Sequence, residues 1–371
     1  MKVIFWQNLL SPHQLPYITH IMDDISIEKV VIVAGENVNI SREKMGWKPY
    51  NINDESKTQI LIAPNDDDIY NLIADNTENS WHLFSGIRGF KFVFKAFKIS
   101  LKFNINRGLI TERPNTFALG FTNGKPLWLH RIRFLLQDRI YAKYIKKVFA
   151  MGDAAVDYYK SIYKNWEVIP FAYCTKNELP LRNNINKGGV NFCFVGSLSW
   201  WKSPQSIVKA AIKIKRNINI SFIGSGNEED KIQHLIKDNK YINSIFYGFQ
   251  DNTKVQEILA KQDVLILPSI YDGWGAVVNE ALNAGLYVIC SDKCGAKELI
   301  SNPKLGYVFK SNNITELSES MNYCLENIDE IRNNRIFRQE WAKRCISGEV
   351  ISKYFVECLN NRQVIRPWFK D

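Results

Sequence analysis

Two carboxylates eight residues apart, Asp272 and Glu280, bracket a Gly-Trp-Gly turn within the stretch Leu267–Gly285 (LPSIYDGWGAVVNEALNAG). The pattern predicts a buried strand ending at Pro268, a loop at Gly273-Trp274-Gly275, and a helix from about Ala276. Glycines let a loop backbone approach a ligand closely. The free N–H groups at a helix start, aided by the helix dipole, favour an anion. Glu280, about one turn into that helix, is placed to accept hydrogen bonds from two neighbouring hydroxyls, as on a ribose. Asp272 lies in the loop, where a second polyol would sit. The competing reading is an ordinary strand–turn–helix with a solvated pair of acids.

Further glycine turns follow strand-like runs in the same half. They are Phe194-Val195-Gly196-Ser197-Leu198 with Lys202 beyond it, Phe222-Ile223-Gly224-Ser225-Gly226, Tyr247-Gly248-Phe249 and Gly295-Ala296-Lys297-Glu298-Leu299-Ile300. Taken with Asp272 and Glu280, this order resembles the family 4 retaining glycosyltransferases of the GT-B fold, whose signature is E-x7-E. The likeness covers most of residues 190–305. A weaker likeness runs through the first half, in Ser11-Pro12-His13-Gln14 and in Val148–Gly152 before Pro170-Phe171. Two positions depart from the family pattern. Asp272 stands where the family usually has Glu, and Ser197 where many members carry an arginine for the diphosphate.

The resemblance implies roles for these positions. Glu280 would hold the nucleotide ribose, and Lys202, with the backbone at Gly196 and Ser197, the diphosphate. Asp272 and the turn Gly273, Trp274, Gly275, Ala276 and Val277 would hold the donor sugar, and Phe249 would border the base. Asp272 and Lys202 would act at the reaction centre, with His13 or His82 assisting from the other half. Both histidines are placed by the sequence at strand ends facing a cleft, but His82 does not align cleanly and reads first as a satisfied core histidine. Glu112 is a further candidate there. The family works without an essential metal or other cofactor, and Asp66-Asp67-Asp68 reads as a helix-capping cluster instead of a metal motif. Nucleotide-sugar donor, glycan or lipid-linked acceptor and surface-polysaccharide synthesis are what the likeness implies as partners and setting.

The elements that must position these residues form two α/β domains. A chain of 371 residues is long enough for about two cores. Apolar runs at Lys2–Trp6, Lys29–Ala34, Gln59–Ala63, Trp81–Phe84 and Leu109–Thr111 alternate with helical stretches, the first of them reaching Ile25. The second half repeats the alternation at Asn191–Gly196, Asn219–Gly224, Ile245–Gly248, Val264–Pro268 and Tyr287–Ser291. Such alternation predicts parallel sheets. The expected plan is an N-terminal acceptor domain at 1–175, a linker at 176–188 and a nucleotide-sugar domain at 189–350. A last helix within 351–371 would pack back on the first domain, and the ligand would lie in the cleft between the two domains.

Composition narrows the classes. The hydrophobic content of 46% and charged content of 23% are those of a globular protein, and no run approaches the length of a membrane span. The run Lys2–Trp6 reads as a strand, not as a leader. Seven scattered cysteines without a C-x-x-C pair argue against disulfides and zinc, and for the cytoplasm. The net charge of +10 is local: Arg88–Lys147 holds fourteen Lys or Arg against Glu112 and Asp138. Lys91, Lys95, Lys98 and Lys102 share one helical face beside Phe90, Phe94, Phe97 and Leu101. A second stretch, 128–147, repeats the mixture with Arg131 and Arg133. The expectation is peripheral contact with the anionic inner face of the cell membrane. No recognition module for nucleic acid accompanies the charge. A nucleotide-sugar epimerase and a non-catalytic binding module are the alternative readings; a dinucleotide-dependent dehydrogenase is disfavoured because no G-x-G-x-x-G follows a first strand.

Overall fold

The computed structural model describes residues 1–38, 58–75, 77–114, 127–176 and 188–369. Two parallel sheets organise them. The first contains β1 (Lys2–Leu9), β2 (Lys29–Glu36), β3 (Gln59–Ile62), β4 (Ser80–Phe84), β5 (Asn106–Glu112), β6 (Lys147–Met151) and β7 (Glu167–Phe171), in the order β3-β2-β1-β4-β5-β6-β7. The second contains β8 (Asn191–Val195), β9 (Ile218–Ile223), β10 (Ile242–Phe246), β11 (Val264–Leu267), β12 (Tyr287–Ser291) and β13 (Gly306–Phe309), in the order β10-β9-β8-β11-β12-β13. Each sheet is thus a doubly wound α/β arrangement, the fold class that the strand–helix alternation predicts.

The central strands are apolar without alternation because helices cover both faces of a parallel sheet. Val3–Trp6 and Val264–Leu267 are buried throughout. Edge strands behave differently. In β10 only alternate residues are covered, with Asn243 and Ile245 outward, and the strand lies three residues earlier than its apolar run suggests. The edge strand β13 has only four residues and escapes the sequence pattern altogether. The helix expected to reach Ile25 is two short pieces, Leu15–Ile18 and the 3-10 turn Ile21–Asp23.

The chain divides into two compact units. Strands β1–β7 gather with the helix Gly348–Leu359, and β8–β13 with the helices from Gln205 to Ile346. The returning helix is fixed to the first unit by its aromatic face: Phe355 lies against Phe5, Phe149 and Phe171 at centroid distances of 5.7, 4.8 and 5.8 Å. Tyr354 donates to the Pro170 carbonyl at 2.9 Å, and Lys147 Nζ donates to the Cys358 carbonyl at 2.8 Å. The segment Pro367–Phe369 is part of the second unit, where the Trp368 carbonyl accepts from Ser301. Most of the expected linker, 177–187, lies outside the described residues.

No helix among the described residues is long and apolar enough to cross a membrane. Among the described basic residues of the charged segment, Lys147 and Arg107 point inward. Lys147 is paired with Glu167 at 2.8 Å, and Arg107 donates to the carbonyls of Ser100, Phe103 and Ile105.

Candidate functional site

In the second sheet β8 and β11 are neighbours at the point where the winding reverses. Ligands of open α/β sheets bind outside the carboxyl ends of strands at such a point. The loop after β8 carries Gly196 to Lys202, and the loop after β11 carries Ser269 to Ala276.

Backbone, not side chains, packs the loops after β8, β9 and β10. Gly196 N–H donates to the Ile223 carbonyl, Leu198 N–H to Ser225 and Gly224 N–H to Gly248, at 2.8–2.9 Å. Gly224 has φ +121°, and a Cβ there would lie 2.0 Å from the Gly196 carbonyl oxygen. Only glycine fits. Ser197 and Ser199 hydroxyls lie 3.1 Å apart, and Phe249 beyond Gly248 is exposed.

The loops after β8 and β11 are joined by Ile270 N–H donating to the Trp201 carbonyl at 2.7 Å. This link sets Lys202 beside Asp272, and Nζ lies 2.5 Å from Oδ2 in an ion pair whose side chains are 22% and 11% exposed. The loop after β12 holds the other side of Asp272, whose N–H donates to the Lys293 carbonyl and whose carbonyl accepts from Gly295. Gly275, at φ +93°, has the Cys294 sulfur 2.7 Å from where a Cβ would be. Cys294 Sγ donates to the Trp274 carbonyl at 3.0 Å, and burial pushes its thiol well above the ordinary range.

The helix Val277–Asn283 starts where the sequence places it, but it has only seven residues, and its Val278 N–H is spent on the Gly275 carbonyl. Its anion-binding capacity is therefore small, and Lys202 is the principal positive charge of these loops. Glu280 is half-buried, its carboxylate has no hydrogen-bond partner among the described residues, and burial alone pushes that carboxyl up to about 7. No charged neighbour contributes to that shift.

Residues 175–341 match the glycosyl transferases group 1 family. Lys202, Asp272 and Glu280 all fall within the match. Among characterised relatives is the N,N'-diacetylbacillosaminyl-diphospho-undecaprenol alpha-1,3-N-acetylgalactosaminyltransferase of Campylobacter jejuni. It is 29% identical over 161 residues, covering 43% of this chain and 41% of the relative. The N-acetylgalactosamine-N,N'-diacetylbacillosaminyl-diphospho-undecaprenol 4-alpha-N-acetylgalactosaminyltransferase of the same organism is 26% identical over 140 residues, covering 37% and 38%. The chain thus spans about two fifths of the length of these curated relatives. A solved structure, Anabaena Alr3699/HepE in complex with UDP, superposes with a TM-score of 0.69 at 14% identity, covering 97% of this chain and 100% of the other. That likeness extends the GT-B fold over both sheets.

Within the group 1 segment, Trp274 is not a ligand side chain. It is 1% exposed, and its Nε1 donates to Asn279 at 2.8 Å, so the indole is part of the core under the turn. Only the backbone at Trp274, with Gly273, Gly275, Ala276 and Val277, is left to line the turn.

The two histidines lie in the other unit. His13 is half-buried in the turn Ser11–Gln14, beside Tyr173 at a centroid distance of 6.2 Å. His82 follows the core reading, and only its placement at a strand end is corrected. It occupies the middle of β4 opposite Ile4 of β1, not a strand end, and is fully buried. Its Nδ1 accepts from Trp6 Nε1 at 3.2 Å, and burial first, then Lys2 and Arg107, push its pKa down to about 3. A neutral ring held in the core carries no proton to a substrate.

The basic helix needs a similar correction. Helix Lys91–Ser100 turns Val93, Ala96 and Phe97 into the core, and Phe94 packs edge-on against Tyr141. Lys91, Lys95, Lys98 and Lys102 are exposed, but of the expected aromatic stripe only Phe90 is exposed. Asp66–Asp68 begin a helix capped by Asn65, which accepts from Asp68 N–H at 2.9 Å. Among the described residues no group of three or more His, Cys, Asp and Glu is placed to hold a metal ion.

Sequence reasoning missed that Lys202 and Asp272 meet, and that Lys293–Gly295 clamps Asp272. The Gly295-Ala296-Lys297-Glu298 run was the available signal, but its partner could not be read.

Proposed function

We propose that the chain is a family 4-type retaining glycosyltransferase. It moves a sugar from a nucleoside-diphosphate sugar to a lipid-linked glycan, in bacterial surface-polysaccharide synthesis at the inner face of the membrane. The observation that carries this reading is the Lys202–Asp272 pair, set by glycine-packed loops at the winding reversal of the second sheet.

The pair explains how a donor would be taken up. A diphosphate competes with Asp272 for the Lys202 ammonium, because a charge-assisted bond to phosphate replaces one to carboxylate. Asp272, so released, accepts from hydroxyls of the donor sugar. As the bond to the anomeric carbon breaks, negative charge grows on the leaving diphosphate, and Lys202 stabilises it in place. Glu280 as a carboxylate accepts from both ribose hydroxyls, and Phe249 borders the base. No metal takes part in this scheme. Of the two candidate histidines, His13 is left for the acceptor side. The relatives' undecaprenol-linked acceptors and the UDP in the Anabaena structure support trying those classes first.

The test is thermal stabilisation by UDP, GDP, ADP and CDP, followed by transfer from the matching nucleotide-sugar, with the product anomer read by NMR. One nucleotide should raise the melting temperature of the wild type and leave Glu280→Ala unmoved. Lys202→Ala should lower kcat/KM for transfer about 100-fold, the scale for losing one preorganised charge at a developing anion. An inverted anomer, a metal requirement, or transfer unchanged in Lys202→Ala overturns the scheme. Conversion of the donor sugar without any acceptor would identify an epimerase instead.

A further inference from the structure

The helix Leu127–Arg133 continues through a wider π-turn at Phe134–Asp138 into Arg139–Ala142. One side of it is core. Phe134 packs against Trp166, and Tyr141 against Phe94 and Phe97. The outer side shows an apolar row in four-residue steps: Trp128, Ile132, Leu136, Ile140 and Tyr144, with Leu135 alongside. Leu136 is 78% exposed and Ile140 64%. Single exposed apolar residues are ordinary, but a row along one helix is a contact surface.

Its surroundings are basic. Arg131, Arg133, Arg139 and Lys143 are exposed along the same helix, whose single acid, Asp138, is half-buried 3.7 Å from Arg88. The Phe94–Tyr141 contact brings helix Lys91–Ser100 alongside, adding exposed Lys91 and Lys98. Lys95 is taken up by Asp66.

We infer that this face docks on an anionic lipid surface. The apolar row enters the boundary between headgroups and acyl chains, and the basic residues meet lipid phosphates. Charge argues against a second copy of the chain as the occupant, because a two-fold contact through this row would set its arginines against their own copies. Of the two stretches that the sequence offers, the inference assigns insertion to 128–144 and leaves the Phe-rich helix only its lysines. It rests on the proposed reading only for why a lipid should be near, so lipid and nucleotide binding are read separately.

The experiment is co-sedimentation of the full chain with phosphatidylcholine vesicles with and without phosphatidylglycerol, across a salt series. The wild type should bind the anionic vesicles and be released by salt. Leu136→Ser with Ile140→Ser should weaken binding at least tenfold at every salt concentration, from the lost burial of two aliphatic side chains. Arg133→Gln with Arg139→Gln and Lys143→Gln should weaken it and flatten the salt dependence. Melting temperature and stabilisation by nucleoside diphosphates should stay as in wild type for both variants, which certifies their folding. Absence of vesicle binding by the wild type overturns the inference, as does unchanged binding by the serine variant. So does a concentration-dependent dimer that the serine variant alone abolishes. Nucleotide stabilisation failing while vesicle binding holds would count against the proposed function alone.

Discussion

The loops above the second sheet and the helical face of the first unit are both candidate contact surfaces, and they are built in opposite ways. The loops are held by backbone: Gly224 lies on Gly196, Gly295 on Gly273, and the charged pair is set by a main-chain link from Ile270 to Trp201. The helical face is all side chain, six apolar residues on an otherwise ordinary helix. A backbone-built site tolerates almost no substitution at its glycines, whereas a side-chain surface loses affinity by degrees. Mutation should therefore separate the two sharply.

The largest effect is expected at Gly224. Its φ of +121° and the 2.0 Å approach to Gly196 leave no room for a methyl group, so Gly224→Ala should cost about 2–4 kcal/mol of stability. Stabilisation by nucleotides should vanish with it, while vesicle binding by the first unit persists at temperatures below the melt. A normal melting temperature in Gly224→Ala would break the contrast. Asp272→Asn comes next. Removing the intramolecular competitor for Lys202 should tighten nucleoside-diphosphate binding about five- to tenfold, as measured by calorimetry, while slowing transfer. Weaker diphosphate binding would mean that the acid orients Lys202 instead of competing with it.

The last effect is the one most dependent on pH. Burial raises the Glu280 carboxyl to about 7, so the folded state holds a proton that the unfolded chain releases near the ordinary carboxylate range. Stability on this account is highest at low pH and falls as pH rises from about 4.5 through about 7. Glu280→Gln should be more stable than wild type by about 1–3 kcal/mol at pH 8, with the gap closing by pH 4. Nucleotide affinity should behave in the opposite sense in the wild type, strengthening as Glu280 ionises, and should be flat in the variant. A melting difference that does not change with pH would remove the desolvated carboxylate from the scheme.

What was legible in the sequence follows the same division. Asp272 and Glu280 stand out by their spacing about a glycine turn after an unbroken apolar run, whereas Lys202 is singled out only by the resemblance to the family 4 glycosyltransferases. The middle of such a run looks like its end, which is why His82 reads as a strand-end residue when it sits opposite Ile4 in the core. Trp274 misleads for a related reason: it stands between two glycines of a turn, but its indole turns under that turn to Asn279. The sequence offered two basic, aromatic-rich stretches as lipid-facing without separating them, whereas packing against Tyr141 takes the rings of the Phe-rich helix inward and leaves Leu136 and Ile140 outward. Pairing partners distant in sequence, such as Asp272 with Lys202 and Lys293, are set by strand order, which a single sequence does not print.

The helix Gly348–Leu359 has a bearing on biosynthesis. Phe5, Phe149 and Phe171 of the first sheet are covered by Phe355, which leaves the ribosome some 180 residues after β7. Domains ordinarily complete in the order of translation. Here the sheet that emerges first keeps an aromatic face uncovered until the whole second unit has been made, so the second unit is positioned to finish folding before the first. A nascent chain stalled anywhere between residues 175 and 347 would present that face to chaperones.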